Sequence, residues 1–455
     1  MFDVRRIASL VGAILVREEP CTPARVVHDS RDAEPGDLFV ALPGGRTDGH
    51  AFLDQAFARG ACGALVTDPT AAPNDAPNLL VVPDVLAALQ AWAAAWRDGL
   101  SATIVGITGS NGKTTTKALL AHLLTGEREP GAVFASPRNY NTEIGLPLAL
   151  LAMPRDSTIG VFELGADRPG DIGRLCDLLR PAVGLITSVG PSHLEAFGTI
   201  DAVAREKWTL VDRLPADGLA VINADCDELR DRAPGVSIRL RSTGIDGGDV
   251  RGRVVRETPY LTLRMDPPGL SLACPLVGRY NATNLLLAVV TALELGTSPA
   301  AVVERAAAFH PIAHRLEPIE TAFGLLLDDV YNANPASAAA ALHALAGCGA
   351  PGSRRAFVFG DMLELGPDSD RYHAEIADLA VRLGIDRVIP VGGRATLACR
   401  AIASDVVVEL PREAIAAHIR RETVDGEWIV LVKGSRDLAL EDLVDELRSA
   451  DADGR

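Results

Sequence analysis

A glycine-rich loop that ends in a lysine and three threonines is the part of this sequence best suited to chemistry. It runs from Gly106 to Thr116 and reads G-I-T-G-S-N-G-K-T-T-T. Glycines let backbone N–H groups close around an anion, and the start of a following helix adds partial positive charge. Lys113 can reach the outer phosphates of a nucleotide, and Thr114 can place its hydroxyl on Mg²⁺. The loop therefore predicts a nucleoside triphosphate site.

The spacing within this loop departs from the usual phosphate-binding pattern. That pattern is G-x-x-x-x-G-K-[ST], but the residue five before Gly112 is Ile107, and the sequence reads G-x-x-G-x-x-G-K. An apolar run, 103–105, precedes the loop, and a helix-like run, 117–121, follows it. Because strand, loop and helix come in this order, we expect the loop at the carboxyl end of a strand in an α/β sheet.

Two further polar residues follow apolar runs of the same region. Glu163 ends the run that starts at Ile159, and His193 follows the run that starts at Val183. In α/β sheets, ligands collect at the carboxyl ends of strands. A carboxylate beside a hydroxyl suits Mg²⁺, and an imidazole can hold a second metal ion. Alone, each is more often a surface or capping residue, but the neighbouring phosphate loop favours the metal interpretation.

Two polar stretches elsewhere are also candidates for ligand contact. The first, 139–145, reads N-Y-N-T-E-I-G and is either a capping loop or a contact for a phosphate or substrate group. The second, 328–335, reads D-D-V-Y-N-A-N-P. Asn334 is a good N-cap and Pro335 a good first helical residue. A cap explains only those two and leaves four polar residues, namely Asp328, Asp329, Tyr331 and Asn332.

Length and composition exclude several classes of function. The chain has 455 residues, of which 48% are hydrophobic, and a formal net charge of −16 at pH 7. This length suggests about three domains of roughly 150 residues each. A global nucleic-acid surface is not expected, because such proteins present a basic face. No apolar run reaches the ~18 residues of a membrane-spanning helix, so no membrane span is expected.

The 7 cysteines are scattered and form no C-x-x-C motif. We therefore expect reduced, buried thiols in a cytoplasmic protein. At the N-terminus, Arg5-Arg6 precedes an apolar run, 7–16, in the manner of a signal peptide. Charged residues, 17–19, follow at once without a small-residue cleavage site. An opening amphipathic helix and strand are expected instead.

Apolar strand-like runs alternate with helical stretches, which predicts an α/β protein with mostly parallel sheets. Helices are expected over 48–59 and 85–96, and a loop over 69–83. Residues 241–275 are expected to form an antiparallel excursion. Strand ends at 360–366 and 434–436 are either plain turns or parts of a substrate site. The candidate strands are 159–164, 183–187, 219–223, 325–329, 356–360, 387–391 and 428–433.

Together these stretches resemble the Mur ligases, the ATP-dependent amide ligases of peptidoglycan precursor synthesis. The loop spacing is also shared with the folylpolyglutamate synthetases. D-D-x-Y-N-A-N-P is typical of the Mur ligase that joins D-alanyl-D-alanine (D-Ala-D-Ala) to UDP-N-acetylmuramoyl-tripeptide (UDP-MurNAc-tripeptide). Departures from the family are Val330, where Ser or Thr is commoner, and Tyr280, where His is commoner. The resemblance covers essentially the whole chain and rests on segments 106–116, 139–145, 163–167, 193–195, 206–207, 278–284, 314–315, 328–335, 360–366 and 432–436.

The resemblance implies three domains. Residues 1–99 would form a small α/β domain that binds the UDP substrate, 100–317 a central ATP-binding domain, and 318–455 a Rossmann-like domain. It also implies transfer of the ATP γ-phosphoryl group to the tripeptide carboxylate, followed by attack of the D-Ala-D-Ala amine on the acyl phosphate. The implied ATP contacts are Gly109, Ser110, Asn111, Gly112, Lys113, Thr114, Thr115, Asn281, Arg315 and Asp329.

The resemblance further implies two Mg²⁺ sites, one held by Thr114 and Glu163 and one by His193. Lys207 matches a family lysine that CO₂ converts to a carbamate, which would support the second metal, although the residues alone predict an exposed helix lysine. Lys113 joins Glu163, His193 and Lys207 in the implied catalytic set. The implied substrate contacts are Ser30, Arg31, Asp48, Asn139, Asn141, Thr142, Tyr331, Asn332, Asn334, Lys433 and Ser435.

Two other interpretations stay open at this point. One is another Mur-type ligase or a folylpolyglutamate synthetase-like ligase, against which the stretch 328–335 and the long N-terminal region argue. The other is a non-catalytic nucleotide-binding module, which would have no use for a second metal site at His193 and Lys207. A monomer without nucleic-acid or membrane partners is expected.

Overall fold

The computed structural model describes residues 2–44, 47–258, 260–350, 352–402, 404–423 and 427–449. The chain forms two compact units. The first contains Met1–Gly106, Glu129–Ala166 and Gly170–Val183, and the second contains Ile107–Arg128, Asp167–Pro169 and Gly184–Arg455. The limits of these units differ from the domain boundaries expected at 99/100 and 317/318. The three expected domains therefore stay a prediction.

The N-terminal region begins with the expected amphipathic helix and strand. The expected helix over 48–59 is a 3₁₀ turn, Gly49–Phe52, followed by an α-helix. The prediction of a loop over 69–83 is wrong near its end, because Leu79–Val81 forms a strand. The elements are α1 (Val4–Val11), β1 (Ile14–Val16), β2 (Val26–Val27), β3 (Leu38–Val40), α2 (Leu53–Ala58), β4 (Gly63–Val66), β5 (Leu79–Val81) and α3 (Val85–Asp98).

These five strands form one sheet in the order β1-β5-β4-β3-β2. The pair β1–β5 is antiparallel and the other neighbours are parallel. Phe39 and Leu53 lie in the apolar core between the sheet and α2. Asp84 caps α3 by accepting a hydrogen bond from the Ala87 N–H, and the helix buries Trp92 and Trp96. The region therefore has the small α/β core that its sequence predicted.

The middle region supplies most of the chain's α/β alternation. Its elements are β6 (Thr103–Thr108), α4 (Lys113–Thr125), β7 (Val133–Ala135), α5 (Gly145–Ala152), β8 (Ile159–Glu163), α6 (Asp171–Leu179), β9 (Val183–Ile186), α7 (Leu194–Phe197), α8 (Ile200–Asp212), β10 (Leu219–Asn223), α9 (Asp227–Arg230), β11 (Arg239–Gly244), β12 (Val250–Arg256), β13 (Leu261–Asp266), β14 (Leu270–Cys274), α10 (Arg279–Glu294) and α11 (Pro299–Ala307).

Strand pairing in this region is parallel at first and antiparallel at the end. In the first unit, β7 runs parallel to β8. In the second unit, β10–β11 and β11–β12 are parallel, whereas β12–β13 and β13–β14 are antiparallel. The predicted excursion over 241–275 is thus antiparallel only from β12 onward. The Thr187 N–H donates to the Thr108 carbonyl at 2.9 Å, so the carboxyl ends of β6 and β9 are neighbours.

The C-terminal region is a doubly wound sheet with helices on both faces. Its order is β15-β16-β19-β17-β18, antiparallel only at β15–β16. Residues of α12, α13 and α14 share one apolar cluster, and those of α15 and α16 share the other. The elements are β15 (Glu317–Thr321), β16 (Gly324–Asp329), α12 (Pro335–Gly347), β17 (Arg354–Gly360), α13 (Ser369–Arg382), β18 (Arg387–Val391), α14 (Gly393–Ile402), α15 (Ile415–Glu422), β19 (Trp428–Lys433) and α16 (Glu441–Ser449).

The cysteines differ in part from the expectation. Cys21 and Cys62 are joined in a disulfide, so the prediction of seven reduced thiols is wrong for this pair. The other five cysteines are buried. Among the described residues, no helix has the length and apolar character needed to cross a membrane.

Candidate functional site

The phosphate loop lies between β6 and α4, at the carboxyl end of its strand as predicted. The helix begins at Lys113, four residues before the predicted helical run, and Gly112 is its N-cap with φ +86°. A Cβ at Gly112 would lie 2.3 Å from Asn284 Oδ1, and one at Gly109 would lie 1.9 Å from Thr187 Oγ1. Both positions therefore need glycine, for backbone conformation and for space.

Polar contacts hold the loop in its shape. Lys113 Nζ donates to the Gly109 carbonyl at 2.6 Å, which curls the lysine back over the loop. Ser110 Oγ donates to the Gly190 carbonyl at 3.0 Å, and the Asn111 N–H donates to Ser188 Oγ at 2.9 Å. Ser188 and Gly190 follow β9, so a second strand end supports the loop. Thr115, in the first turn of α4, is buried.

A substitution at Gly112 tests this packing. Gly112→Ala is expected to destabilise the second unit by about 1–3 kcal/mol, because a non-glycine residue would occupy a left-handed conformation. The clash with Asn284 should in addition weaken nucleotide binding. Gly296→Ala is the matched control, since Gly296 has φ +87° but no atom within 4 Å of its Cβ position. Chemical denaturation and ADP titration of both variants measure the two effects; equal ADP affinities would contradict the packing argument.

Asparagines of α10 support α4 from the side. Thr116 Oγ1 donates to Asn284 Oδ1 at 3.3 Å, and Asn284 Nδ2 donates to Asn281 Oδ1 at 3.0 Å. Asn281 Nδ2 in turn donates to the Val277 carbonyl at 2.9 Å. Asn281 is buried and ordered by this chain of bonds, and its expected contact with ATP stays a prediction. Asn284 was not predicted as a site residue, although it lies one helical turn after Asn281.

Two residues that follow α11 in the chain reach the phosphate loop. Arg315 donates to Thr114 Oγ1 at 3.2 Å, and its guanidinium lies 3.6 Å from the ring centroid of Tyr331. Asn334 Nδ2 donates to Asn111 Oδ1 at 2.8 Å. The structure thus brings the predicted residues Asn111, Thr114, Arg315, Tyr331 and Asn334 together within the second unit.

The turn that carries Arg315 is fixed by a buried carboxylate. His314 and Leu316 have φ +63° and +54°, a conformation uncommon for such residues. Asp328 Oδ2 lies 2.8 Å from His314 Nδ1, and Asp328 is fully buried. Burial raises the pKa of Asp328, and the His314 contact opposes that rise. Asp328 therefore has a structural explanation that a helix cap did not offer.

Asp329 and Lys433 form an ion pair in which the lysine is buried. Lys433 Nζ donates to Asp329 Oδ2 at 2.6 Å and to the Asn332 carbonyl at 3.0 Å, and Lys433 is 2% exposed. The Leu316 N–H donates to Asp329 Oδ1 at 3.2 Å. Lys433 therefore orients the Asp329 carboxylate, while their expected ligand contacts stay predictions. Ser435 Oγ accepts from the Leu363 N–H at 3.0 Å and so joins two strand-end loops.

Capping explains part of the 328–335 stretch as predicted. Asn334 is the N-cap of α12, Pro335 is the first helical residue, and Ser337 completes a capping box. Since the Asn334 amide also contacts Asn111, it serves the helix and the phosphate loop at once.

His193 lies between two carboxylates. Its Nδ1 is 3.2 Å from Glu364 Oε2, and its Nε2 is 3.5 Å from Asp167 Oδ1. His193 follows β9, as predicted, and is the N-cap residue of α7. Neither Glu364 nor Asp167 was singled out in the sequence as a site residue, although both fall in segments that carry the family resemblance.

Lys207 is buried, not an exposed helix lysine. It lies on α8 and is 3% exposed. Burial, with a smaller contribution from the charge of Lys113, lowers the pKa of the Lys207 amine to about 7. A large fraction of this amine is therefore neutral near pH 7, which is the nucleophilic form.

Glu163 belongs to the first unit, where it ends β8 and is 1% exposed. Its Oε2 accepts from Asn141 Nδ2 at 3.5 Å. Thr142 Oγ1 accepts from the Gly145 N–H at 3.3 Å, so this hydroxyl pairs with the first N–H of α5. Asn139, in the same loop, is exposed.

The predicted UDP-substrate residues also lie in the first unit. Ser30 Oγ donates to Gln55 Oε1 at 2.6 Å. Arg31 pairs with Asp29 at 2.7 Å, and this bond lowers the pKa of Asp29 to about 2. Asp48 accepts from the His50 N–H at 2.9 Å.

Two contacts join the segment 28–32 to residues 138–140 of the same unit. The guanidinium of Arg138 donates to Asp32 at 2.9 Å, and the rings of His28 and Tyr140 meet edge to face with centroids 5.8 Å apart. The segment 28–32 and the loop that precedes α5 therefore lie side by side in the first unit.

The donor chemistry fits Mg²⁺ bound together with a nucleotide. Among the residues that the structure describes, no three His, Cys, Asp or Glu side chains are arranged to hold a metal ion by themselves. Mg²⁺ at nucleotide sites usually takes one or two protein ligands and completes its shell with phosphates and water. The hydroxyl of Thr114 and the carboxylate of Glu163 are ligands of that kind.

Comparison with known families and proteins agrees with this architecture. Residues 24–97 match the Mur ligase family, catalytic domain; 107–292 match the Mur ligase middle domain; and 314–436 match the Mur ligase, glutamate ligase domain. The UDP-N-acetylmuramoyl-tripeptide–D-alanyl-D-alanine ligase of Escherichia coli is 35% identical over 93% of each chain. The chain belongs to the Mur ligase family. It therefore has the three-part α/β architecture of the Mur ligases.

Other Mur ligases give the same result. The Bacillus subtilis UDP-N-acetylmuramoyl-tripeptide–D-alanyl-D-alanine ligase is 30% identical over 98% of each chain. The crystal structure of MurF from Acinetobacter baumannii superposes with a TM-score of 0.86 at 30% identity, covering 98% of each chain. MurF from Thermotoga maritima, solved in complex with ADP, superposes with a TM-score of 0.81 at 28% identity, covering 93% of this chain and 96% of that one.

Proposed function

We propose that this Mur ligase forms the amide bond between UDP-MurNAc-tripeptide and D-Ala-D-Ala at the expense of ATP. The observation that carries the proposal is 35% identity, over 93% of each chain, to the UDP-N-acetylmuramoyl-tripeptide–D-alanyl-D-alanine ligase of Escherichia coli. The contact of the D-D-x-Y-N-A-N-P stretch with the phosphate loop, through Asn334 and Asn111, supports it. Within the family, this stretch is the motif most typical of the ligase that uses D-Ala-D-Ala, and the contact joins it to the proposed nucleotide site.

The reaction needs activation of a carboxylate, because a carboxylate and an amine do not condense in water. The tripeptide carboxylate attacks the γ-phosphorus of ATP and displaces ADP, giving an acyl phosphate. The D-Ala-D-Ala amine then attacks the acyl carbon, loses a proton and expels inorganic phosphate. Such reactions are accelerated mainly by positioning and by neutralisation of charge.

The side chains of the phosphate loop supply that positioning. Lys113, whose amine contacts the Gly109 carbonyl, would bind the outer phosphates, and Arg315 would add a second cation beside Thr114. Thr114 and Glu163 would hold the first Mg²⁺ and His193 the second; the chemistry that such ions supply when bound is neutralisation of phosphate charge. Asp329, held by Lys433, receives the ribose, and Asn281 contacts the nucleotide.

Lys207 is proposed to act as a carbamate. The neutral amine attacks CO₂, forms an N–C bond and releases a proton, so that a buried cation becomes an anion. A pKa of about 7 keeps enough neutral amine for this reaction at physiological pH. The resulting carbamate would support the second metal site near His193.

The substrate contacts complete the proposal. The first unit would bind the UDP-MurNAc-tripeptide through the loops that follow Asp29 and precede α5. The second unit would contact the incoming dipeptide through Tyr331, Asn332 and Ser435. The site of action is the cytoplasm, where ATP is available, and the active form is a monomer.

Phosphate release with defined substrates tests the proposal. We expect ADP and phosphate in a 1:1 ratio with the amide product only when ATP, UDP-MurNAc-tripeptide and D-Ala-D-Ala are all present. Folate polyglutamylation substrates and UDP-MurNAc-dipeptide with a diamino acid are the controls for the other ligase interpretations. ATP binding without phosphate release under any of these conditions would instead support a non-catalytic module.

A further inference from the structure

His193 is contacted on both sides of its imidazole ring. A carboxylate approaches each ring nitrogen, Glu364 at Nδ1 and Asp167 at Nε2. Glu364 lies in the loop after β17, in the C-terminal sheet, whereas His193 lies in the loop after β9. The two residues come from different sheets and meet through a single side-chain contact.

A contribution to the free energy of folding does not explain the contact between His193 and Glu364. The His193 and Glu364 side chains are 35% and 68% exposed, and exposed ion pairs contribute little to folding. Yet both residues have a left-handed backbone, with φ +49° at His193 and +61° at Glu364. Non-glycine residues in this conformation are uncommon and concentrate at functional sites. The loops therefore hold both residues in uncommon conformations at the point where their side chains meet.

The loop that carries Glu364 is anchored on its other side. The Met362 N–H donates to His373 Nε2 at 2.8 Å, and the Leu363 N–H donates to Ser435 Oγ at 3.0 Å. His373 is buried with its Nδ1 2.7 Å from the Ser369 carbonyl, which fixes its ring. These bonds hold the backbone on the N-terminal side of Glu364 in place, so its carboxylate is presented to His193 by a supported loop.

The acceptor at Nδ1 decides which ring nitrogen carries the proton. An ionised carboxylate accepts but cannot donate, and of the two carboxylates Glu364 is the nearer, at 3.2 Å against 3.5 Å for Asp167, so the closer contact favours a proton on Nδ1. The lone pair of the neutral ring then lies on Nε2, the nitrogen that faces Asp167. Histidines that bind metals commonly donate their other N–H to a carboxylate, which fixes the tautomer and the ring orientation.

We infer that Glu364 is a positioning residue, which holds His193 with the proton on Nδ1 and thereby directs Nε2 to the metal side. The inference deepens the proposed function, because it assigns the C-terminal loop a part in building the second Mg²⁺ site. The second metal site would therefore be complete only when that loop contacts His193.

The first test is the tautomer of His193 in the metal-free protein. Long-range ¹H–¹⁵N spectra of ¹⁵N-histidine protein at pH 8 distinguish the two neutral tautomers, and His193→Asn assigns the resonances. Wild-type protein is expected to show the Nδ1-protonated form. Glu364→Ala should shift His193 toward the Nε2-protonated form that free histidine prefers. Glu364→Gln, whose amide oxygen still accepts, should retain the wild-type tautomer.

The second test is metal affinity and turnover. With ADP present, Mn²⁺ bound to the protein can be titrated by electron paramagnetic resonance. Glu364→Ala is expected to weaken the His193-dependent Mn²⁺ site by about 10–100-fold, with a similar fall in kcat, whereas Glu364→Gln recovers most of both. Glu413→Gln, at an exposed glutamate in the same region of the chain, is the control and should change neither.

The outcomes separate the inference from the proposed function. An unchanged His193 tautomer and Mn²⁺ affinity in folded Glu364→Ala protein would overturn the positioning role. If Glu364→Ala shifts the His193 tautomer but the wild-type chain fails to ligate its substrates, the positioning role stands and the ligase assignment is rejected. Because Glu364 is exposed, thermal unfolding of Glu364→Ala should match that of the wild type.

Discussion

Replacing Lys113 with alanine is expected to lower substrate-dependent phosphate release by at least about 10²–10³-fold, the usual effect of removing one charge-stabilising group from an active site. Lys113 begins α4 and its amine reaches across the loop to the Gly109 carbonyl, which places this cation on the loop proposed to bind the outer phosphates. The chain has only four lysines, and the other three, Lys117, Lys207 and Lys433, are buried. None of these can extend freely to replace the lost amine.

The Lys113→Ala measurement uses a coupled phosphate assay with all three substrates. Arg371→Ala is the control, because Arg371 is an exposed cation that pairs with Asp368 and Glu375 in the C-terminal region. The control should retain wild-type turnover. Thermal unfolding of both variants shows that the fold is intact. Wild-type turnover in folded Lys113→Ala protein would contradict the assignment of the loop.

Lys207→Ala is expected to be inactive and to recover part of its activity with short carboxylic acids. Alanine removes the carbamate and leaves a small buried space on α8, which formate or acetate can occupy as a replacement anion. Carbamate formation needs the neutral amine, so with a pKa of about 7 the wild-type enzyme should depend more strongly on added bicarbonate below pH 7 than above it. Turnover with and without acetate is the measurement. If the Lys207→Ala protein is folded but acetate restores no activity, the carbamate is unsupported.

The scarcity of lysine makes the carbamate directly observable. With four lysines in the chain, ¹³C spectra in the presence of ¹³C-bicarbonate should contain few carbamate resonances. The resonance assigned to Lys207 should vanish in Lys207→Ala. A resonance that persists in the variant would place the modification elsewhere.

Strands were the most predictable part of the fold. The candidate runs 219–223, 387–391 and 428–433 coincide with β10, β18 and β19, because buried parallel strands are continuous apolar runs between turns. Short strands were harder. Leu79–Val81 was assigned to a loop, since three apolar residues amid proline and asparagine carry too little periodicity. The parallel pairing of β11 was also missed, because its partners are chosen by tertiary packing and not by local sequence.

The site could be predicted where one segment supplied both position and chemistry. The phosphate loop, His193 and the Asn334 cap all lie where their local sequences placed them. Residue type alone favoured an exposed Lys207, but the helical spacing carried the opposite signal, because Lys207 lies four residues from both Val203 and Val211 on the buried face of α8. The contact between His193 and Glu364 joins two loops that are distant in sequence, so only the folded chain shows it.

The most direct test of ligation through an acyl phosphate follows one oxygen atom. UDP-MurNAc-tripeptide is labelled with ¹⁸O in the carboxylate that accepts D-Ala-D-Ala and is incubated with the enzyme, ATP and D-Ala-D-Ala. Mass spectrometry of the products then locates the label. We expect one labelled oxygen in each phosphate released, with one amide formed per phosphate. Unlabelled phosphate accompanied by amide formation, or phosphate release without D-Ala-D-Ala incorporation, would contradict the mechanism.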